Sequence, residues 1–207
     1  MEAPPDLVVL RPQGLYCPAG DFFIDPWRPV ERAVITHAHA DHARAGHRRY
    51  VATRVSAGVL RARLGAIELQ GLAYGDRLRV RDVVVSLHPA GHVLGSAQVR
   101  IEHRGRVWVV SGDFFASGAG DANPTCDAFQ PVRCECFVTE STFALPVYRW
   151  PAQSQVMRDI CTWWRANAEA GQASLLLAYS LGKAQRVLAG LDPSIGPIVV
   201  HDAIEPL

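Results

Sequence analysis

A chain of 207 residues, 49% hydrophobic and 20% charged, can bury a sizeable core, which sets intrinsic disorder aside. A formal net charge of +1 gives no bulk field to draw in nucleic acid or an anionic membrane. No apolar run nears the roughly 20 residues that a membrane helix needs.

In chain order, Leu7 to Leu10, Phe22 to Ile24 and Ala33 to Ile35 read as short strands, being β-branched or aromatic runs bounded by Gly, Pro or charge. The third strand runs into His37-Ala38-His39-Ala40-Asp41-His42, three histidines and a carboxylate in six residues. Neutral imidazole and carboxylate suit zinc and similar divalent ions. Left unpaired at the end of a buried strand, such groups would cost several kcal/mol, on the order of 2–7 each. No acidic residue lies between Asp41 and Glu68, whereas Arg44, Arg48, Arg49, Arg54, Arg61 and Arg63 all do. That basic stretch suits either a phosphate-bearing substrate or a solvated face with its counter-charges elsewhere in the fold.

Val55 to Leu64 has the spacing of a short helix, closed by Gly65. Strands follow over Val83 to Leu87, Ala97 to Ile101 and Val107 to Val110, with a hairpin turn at His103-Arg104-Gly105-Arg106. Asp25, His92 and Asp113 each stand just past a strand, where a sheet edge could gather them. Ala116 to Thr125, rich in Gly, Ala, Ser, Asp and Asn, reads as an exposed loop. Five cysteines, Cys17, Cys126, Cys134, Cys136 and Cys161, show no CxxC pair, and Met1-Glu2-Ala3-Pro4-Pro5 is no signal peptide. They read as free thiols of a cytoplasmic protein; Cys134-x-Cys136 alone offers too few ligands for a soft metal.

Beyond Pro151 the character changes. Val156, Ile160, Trp163 and Trp164 mark an amphipathic helix ending at Gly171. Leu175 to Leu177, a helix over Lys183 to Leu191, and Ile198 to Val200 then predict a β-α-β unit with parallel strands. Two domains are expected, 1–150 and 151–207. Gly182-Lys183 is no phosphate loop, because Leu177 stands where the first Gly belongs and Ala184 where Ser or Thr would hold magnesium.

The order Asp25, His37-x-His39-x-Asp41-His42, His92, Asp113 resembles the metallo-β-lactamase superfamily, whose fold is an α/β, four-layer αββα sandwich with two metals at one sheet edge. Pro89 to Ala97, Thr139-Glu140-Ser141-Thr142 and Ser180-Leu181-Gly182-Lys183-Ala184-Gln185 resemble motifs of its β-CASP nuclease branch. Gly14-Leu15-Tyr16-Cys17 and the stretch from Phe129 to Trp150 look most like bacterial exonucleases associated with ATP-dependent DNA ligases. The resemblance implies that 1–150 is the metal-binding domain and 151–207 the beginning of a β-CASP-like cap. It implies that His37, His39 and His92 hold a first divalent ion and Asp41 and His42 a second, zinc or manganese, with Asp113 bridging. Asp25 would orient a ligand histidine, and Glu140 would support proton transfer to the leaving oxygen. Lys183, Arg186, Arg44 and Arg48 are candidate phosphate contacts.

The activity so implied is two-metal activation of water for phosphodiester hydrolysis on DNA or RNA, as an exonuclease in DNA repair with ligase or helicase partners. The alternatives are a non-catalytic metal-binding module for nucleic acid or a repair partner, and a hydrolase of thioesters or lactams. Two later histidines of the family pattern do not occur before Leu207, and His201 sits in a cap-like context. The chain is therefore expected to be truncated, only partly stable and weakly active or inactive, with an apolar face of its first sheet exposed.

Overall fold

Val83, Val85 and Leu87 are each 0% exposed and share one face of a strand, while Val84, Ser86 and His88 share the other. The computed structural model describes residues 5–116 and 122–207, so part of the loop expected over 116–125 lies outside the described residues. Six strands form the first sheet in chain order: β1 (Val9–Arg11), β2 (Gly14–Cys17), β3 (Phe22–Ile24), β4 (Arg32–Val34), β5 (Arg49–Thr53) and β6 (Leu69–Leu72). Helix α1 (Ala57–Leu64) connects β5 to β6. The second sheet holds β7 (Leu78–Val80), β8 (Val83–Pro89), β9 (Ala97–His103), β10 (Arg106–Val110) and β11 (Cys136–Val138), in the order β11-β10-β9-β8-β7.

The sheets close over a shared interior, where Phe22, Ile24, Val34 and Val51 of the first meet Val85, Leu87, Val99 and Ile101 of the second. The first sheet's apolar face is therefore covered, contrary to the expectation of an exposed one, because β7 to β11 already supply a second sheet. Its other face carries Ala33, Tyr50 and Ala52 against Val59 and Leu60 of α1. This is an α/β architecture of two mixed sheets with a helix on the outer face of the first. On the outer face of the second sheet, Gln98 donates to the carbonyls of Pro89 and Gln130.

Strand direction sets where the loops emerge. β3 to β6 are mutually parallel; β10 and β11 are parallel, and β8 shares their direction because both β8 and β10 pair antiparallel to β9. The residues after β3, β4, β8, β10 and β11 include Asp25, the HAHADH run, His92, Asp113 and Glu140 respectively. A hydrogen bond from Ala97 N to Thr36 O, 2.8 Å, ties the His92 loop of one sheet to the histidine loop of the other.

After residue 150, α2 (Gln153–Glu169) and α3 (Lys183–Gly190) pack together. Gly190 approaches Met157 closely, and Arg165 pairs with Asp192 at 3.1 Å. The predicted parallel β-α-β unit does not form. Leu177 and Val199 are 91% and 92% exposed, and neither apolar run pairs as a strand. The physical reason is the lack of further strands: an isolated two-stranded pair is marginal in water. No helix among the described residues is long and apolar enough to cross a membrane.

His47, just past the metal motif, is 7% exposed, and neither ring nitrogen has a hydrogen-bond partner among the described residues. Its ring lies 5.1 Å from that of Tyr50, and burial pushes its pKa below the ordinary histidine value. The folded state therefore binds this proton less readily than the unfolded state does, and stability drains away as pH falls below about 6.5. His47→Phe keeps the ring packing without the basic nitrogen. It is expected to narrow the gap between melting temperatures at pH 5 and pH 7.5.

Candidate metal centre

Asp25 stands at the end of β3 with φ at +43°, a left-handed conformation that Asp tolerates better than most residues. Its carboxylate accepts three hydrogen bonds: Thr36 N to Oδ1 at 2.7 Å, Thr36 Oγ1 to Oδ2 at 2.5 Å, and His42 Nδ1 to Oδ2 at 2.7 Å. Proton accounting then fixes the imidazoles. A carboxylate only accepts, so the Thr36 hydroxyl proton points to Asp25 and its oxygen accepts from His37 Nδ1, 3.1 Å away. That leaves His37 Nε2 with a bare lone pair. His39 Nε2 lies 3.1 Å from the Leu181 carbonyl, which also only accepts, so Nε2 carries a proton and, in the neutral ring that a metal ligand needs, Nδ1 is the free donor atom.

These atoms face inward. His39 Nδ1 is 3.0 Å from His37 Nε2 and 3.2 Å from His92 Nε2. Asp113 Oδ2 lies 3.7 Å from both His37 Nε2 and His92 Nε2. Zinc–nitrogen bonds of about 2.0–2.1 Å place the corners of a tetrahedron roughly 3.3–3.4 Å apart. The distances bracket that value. With both rings neutral in these tautomers, two lone pairs at 3.0 Å repel unless a proton or a metal cation sits between them. His37, His39, His92 and Asp113 thus fit a metal ion on their donor chemistry alone.

Next to this cluster, His42 Nε2 is 3.2 Å from Asp113 Oδ1 and 3.6 Å from Asp41 Oδ2. Asp41 is the outermost of these groups, its side chain 73% exposed. Electrostatics divides the two halves. Burial, then repulsion among the neighbouring histidines, holds His37 well below the ordinary value; burial and then His39 push His92 down to about 4. Both are neutral, the state a metal ligand needs. Burial opposes charge on His42 too, but Asp113 and Asp25 overcome it and raise its pKa to about 10, so a cation at Nε2 would compete with a proton there. The hydrogen bond from His42 lowers Asp113, which burial alone would raise.

Close packing holds the loops together. Gly112 has φ at +57°, and a Cβ there would lie 2.5 Å from Thr36 Oγ1. Any side chain would displace the hydroxyl that orients His37, so glycine is required just before Asp113.

Of the other anticipated residues, Glu140 follows β11, accepts from Thr142 N at 2.9 Å, and lies near enough to His92 to favour its charged form. Arg48 pairs with Glu31, Arg49 with Glu68, Arg54 with Asp76, and Arg63 donates to the Ala38 carbonyl. Three arginines of the basic segment are thus ion-paired at the surface; Arg44 has no ion pair among the described residues. Lys183 is exposed, while Arg186 lies 4.8 Å over the Phe115 ring and bonds Gln153. The five cysteines are free and none joins the cluster. Thr36 and Leu181 are the site residues that sequence reasoning missed. Thr36 adjoins the motif and could have been flagged as a hydroxyl between strand and ligand; the Leu181 carbonyl leaves no local signal.

A His–Asp cluster at the meeting edge of two mixed sheets is of the metallo-β-lactamase type. No family model matches the chain. It is 34% identical over 192 residues to a "Probable DNA ligase" of Opitutus terrae, covering 91% of this chain and 18% of that protein. It is 24% identical over 115 residues to an "RNase J-like protein" of Methanocaldococcus jannaschii, covering 56% of this chain and 27% of that one. The chain therefore spans less than a third of either curated relative. The likeness to these proteins and the His–Asp cluster agree with the resemblance to the β-CASP branch of the metallo-β-lactamase superfamily. A solved structure, a protein of unknown function from Enterococcus faecalis V583, is similar at a TM-score of 0.47 and 16% identity over 67% of this chain and 39% of its own; that likeness is too loose to carry weight.

Because Asp25 orients both His37 and His42, Asp25→Asn is expected to weaken zinc binding by about 10- to 100-fold in chelator competition. Thr36→Val, which breaks only the His37 arm, is expected to cost less than Asp25→Asn.

Proposed function

We propose that this chain is the metal-dependent phosphodiesterase portion of a nucleic-acid-processing protein, hydrolysing DNA or RNA at a two-ion centre. The observation that carries the two-ion reading is the division of Asp113: Oδ2 faces the His37–His39–His92 side and Oδ1 faces His42. In this reading His37, His39 and His92 would hold one ion and Asp41 and His42 the other, with Asp113 shared between them. Divalent ions bound there supply Lewis acidity and lower the pKa of water to about 7.

The protein's own groups do the rest. Asp25 and the Leu181 carbonyl keep the imidazole lone pairs aimed inward. Burial keeps His37 and His92 unprotonated. Glu140, whose charge favours the protonated form of His92, would support proton transfer to the leaving oxygen.

A nucleic-acid substrate is supported by the names of the relatives, a DNA ligase and an RNase J-like protein. It is also supported by the loop after Glu140. Phe143, Tyr148 and Trp150 are 57%, 44% and 69% exposed, and the Tyr148 and Trp150 rings are stacked with centroids 6.1 Å apart. Phe143 meets both edge-on at 5.1 Å. No acidic residue occurs from Ser141 to Arg158, whereas Arg149 and Arg158 do. Exposed aromatic rings on a segment that carries arginines and no acid suit unpaired bases and their phosphates. Exonuclease action in DNA repair, with a ligase as partner, is the finer form of this reading.

Zinc- or manganese-loaded protein is expected to hydrolyse bis(p-nitrophenyl) phosphate, with activity lost on chelation and reduced about 100-fold or more in Asp113→Ala. Turnover of a thioester but of no phosphodiester would sink the reading. Trp150→Ala is expected to weaken binding of an unpaired oligonucleotide about tenfold. Turnover of the base-free chromogenic diester, and binding of an abasic strand, should hardly change.

A further inference from the structure

The carbonyl that orients His39 belongs to a peptide 142 residues further along the chain, in the turn that enters α3. That turn is built around one side chain. Gln185 Oε1 accepts from Gly182 N at 2.7 Å, and Gln185 Nε2 donates to the Ser180 carbonyl at 2.9 Å. Leu181 C=O and Gly182 N–H are two ends of a single planar peptide unit. Holding the N–H on one side therefore fixes the direction of the C=O on the other, and that C=O meets His39 Nε2 at 3.1 Å.

The turn is also pressed against the sandwich. Leu181 is 7% exposed within the cluster that holds Ile35 and Ala38, the residues flanking Thr36 and His37. Gly182 has φ at +87°, and a Cβ there would stand 2.5 Å from Val93 Cγ1, beside His92. The peptide thus has one seat, between the two histidine loops.

We propose that Gln185 is a positioning residue for the metal centre. By clamping the Leu181–Gly182 peptide it keeps the proton of His39 on Nε2 and the lone pair of Nδ1 on the cluster, and so couples the docking of α3 to metal retention. Resting on the metal reading of the cluster, the inference adds a residue that never touches the ion. Coupling of this kind is reciprocal: whatever docks the turn tightens metal binding, and metal binding protects the turn.

The test uses the full chain with zinc as probe. Gln185→Met preserves length and removes both hydrogen bonds. It is expected to weaken zinc binding about 10- to 100-fold in chelator competition. In the nitrogen-15 spectrum of the zinc form, His39 should lose its single Nε2-protonated signature while the His37 and His92 signals persist. A general structural loss would move all three together. Unchanged affinity with an unchanged His39 signature overturns the proposal, as does collapse of all three signals. Should the variant not fold, hydrogen exchange on the unaltered chain decides: zinc should slow exchange at Gly182 and along α3, and equal exchange with and without zinc overturns it. A wild-type chain that binds no zinc removes the metal reading itself, a result distinct from equal binding by both proteins.

Discussion

The carboxylate of Asp25 is the constraint from which the centre follows. It is 12% exposed on its side chain and meets two groups that belong to different parts of the site. Through the Thr36 hydroxyl it sets the tautomer of His37, and by direct contact it sets the orientation of His42. A charged acceptor with three donors in a half-buried setting makes short, strong bonds, and each bond removes an alternative arrangement of the next group. Asp25 can do this only because β3 and β4 run parallel as neighbours. Their ends then face the same way, and the backbone of Asp25 bonds across to Val34. Sheet topology, rather than the HAHADH run itself, aims the imidazoles.

Burial then gives the two halves of the centre different characters. His37, with an exposure of 1%, and His92 have lost the solvation a charged imidazole needs, so both stand neutral beside His39. His42 has lost solvation as well, yet it lies between two carboxylates and holds charge readily. Converging neutral lone pairs on one side, and a carboxylate-flanked imidazole on the other, leave Asp113 as the group that faces both. That asymmetry comes from position alone, since four of the groups concerned are the same residue type.

How much of this can be read from the chain depends on how local each cause is. The HAHADH run, Asp25, His92 and Asp113 are legible because each closes an apolar run, and β3, β8, β9 and β10 fall where those runs lie. Strands β2, β5, β6, β7 and β11 are not legible in the sequence alone. They are three to five residues long, and Arg49–Thr53 carries an Arg that reads as part of a basic patch. Neighbouring strands in register define such elements, and composition does not. The same reasoning explains the failed parallel unit near the end of the chain: Leu175 to Leu177 and Ile198 to Val200 have strand composition but no neighbour to pair with. Conversely, Leu181 acts through its backbone carbonyl, which every residue possesses, so only the folded chain singles it out.

The distribution of charge bears on what the centre can recognise. A basic stretch from Arg44 to Arg63 suggests a phosphate track, but Glu31, Glu68, Asp76 and the Ala38 carbonyl occupy most of it. Exposed ion pairs of this kind contribute little stability, roughly 0–1 kcal/mol each, and they leave little positive field for a ligand. With a net charge of +1, long-range attraction is equally weak. On the proposed function, an anion at this edge would be recognised at short range, by the ions the cluster would hold and by the acid-free segment from Ser141 to Arg158. On that same reading, short-range recognition would favour a flexible strand, with one phosphate in the centre and its bases on the exposed rings, over a rigid surface that needs a broad field.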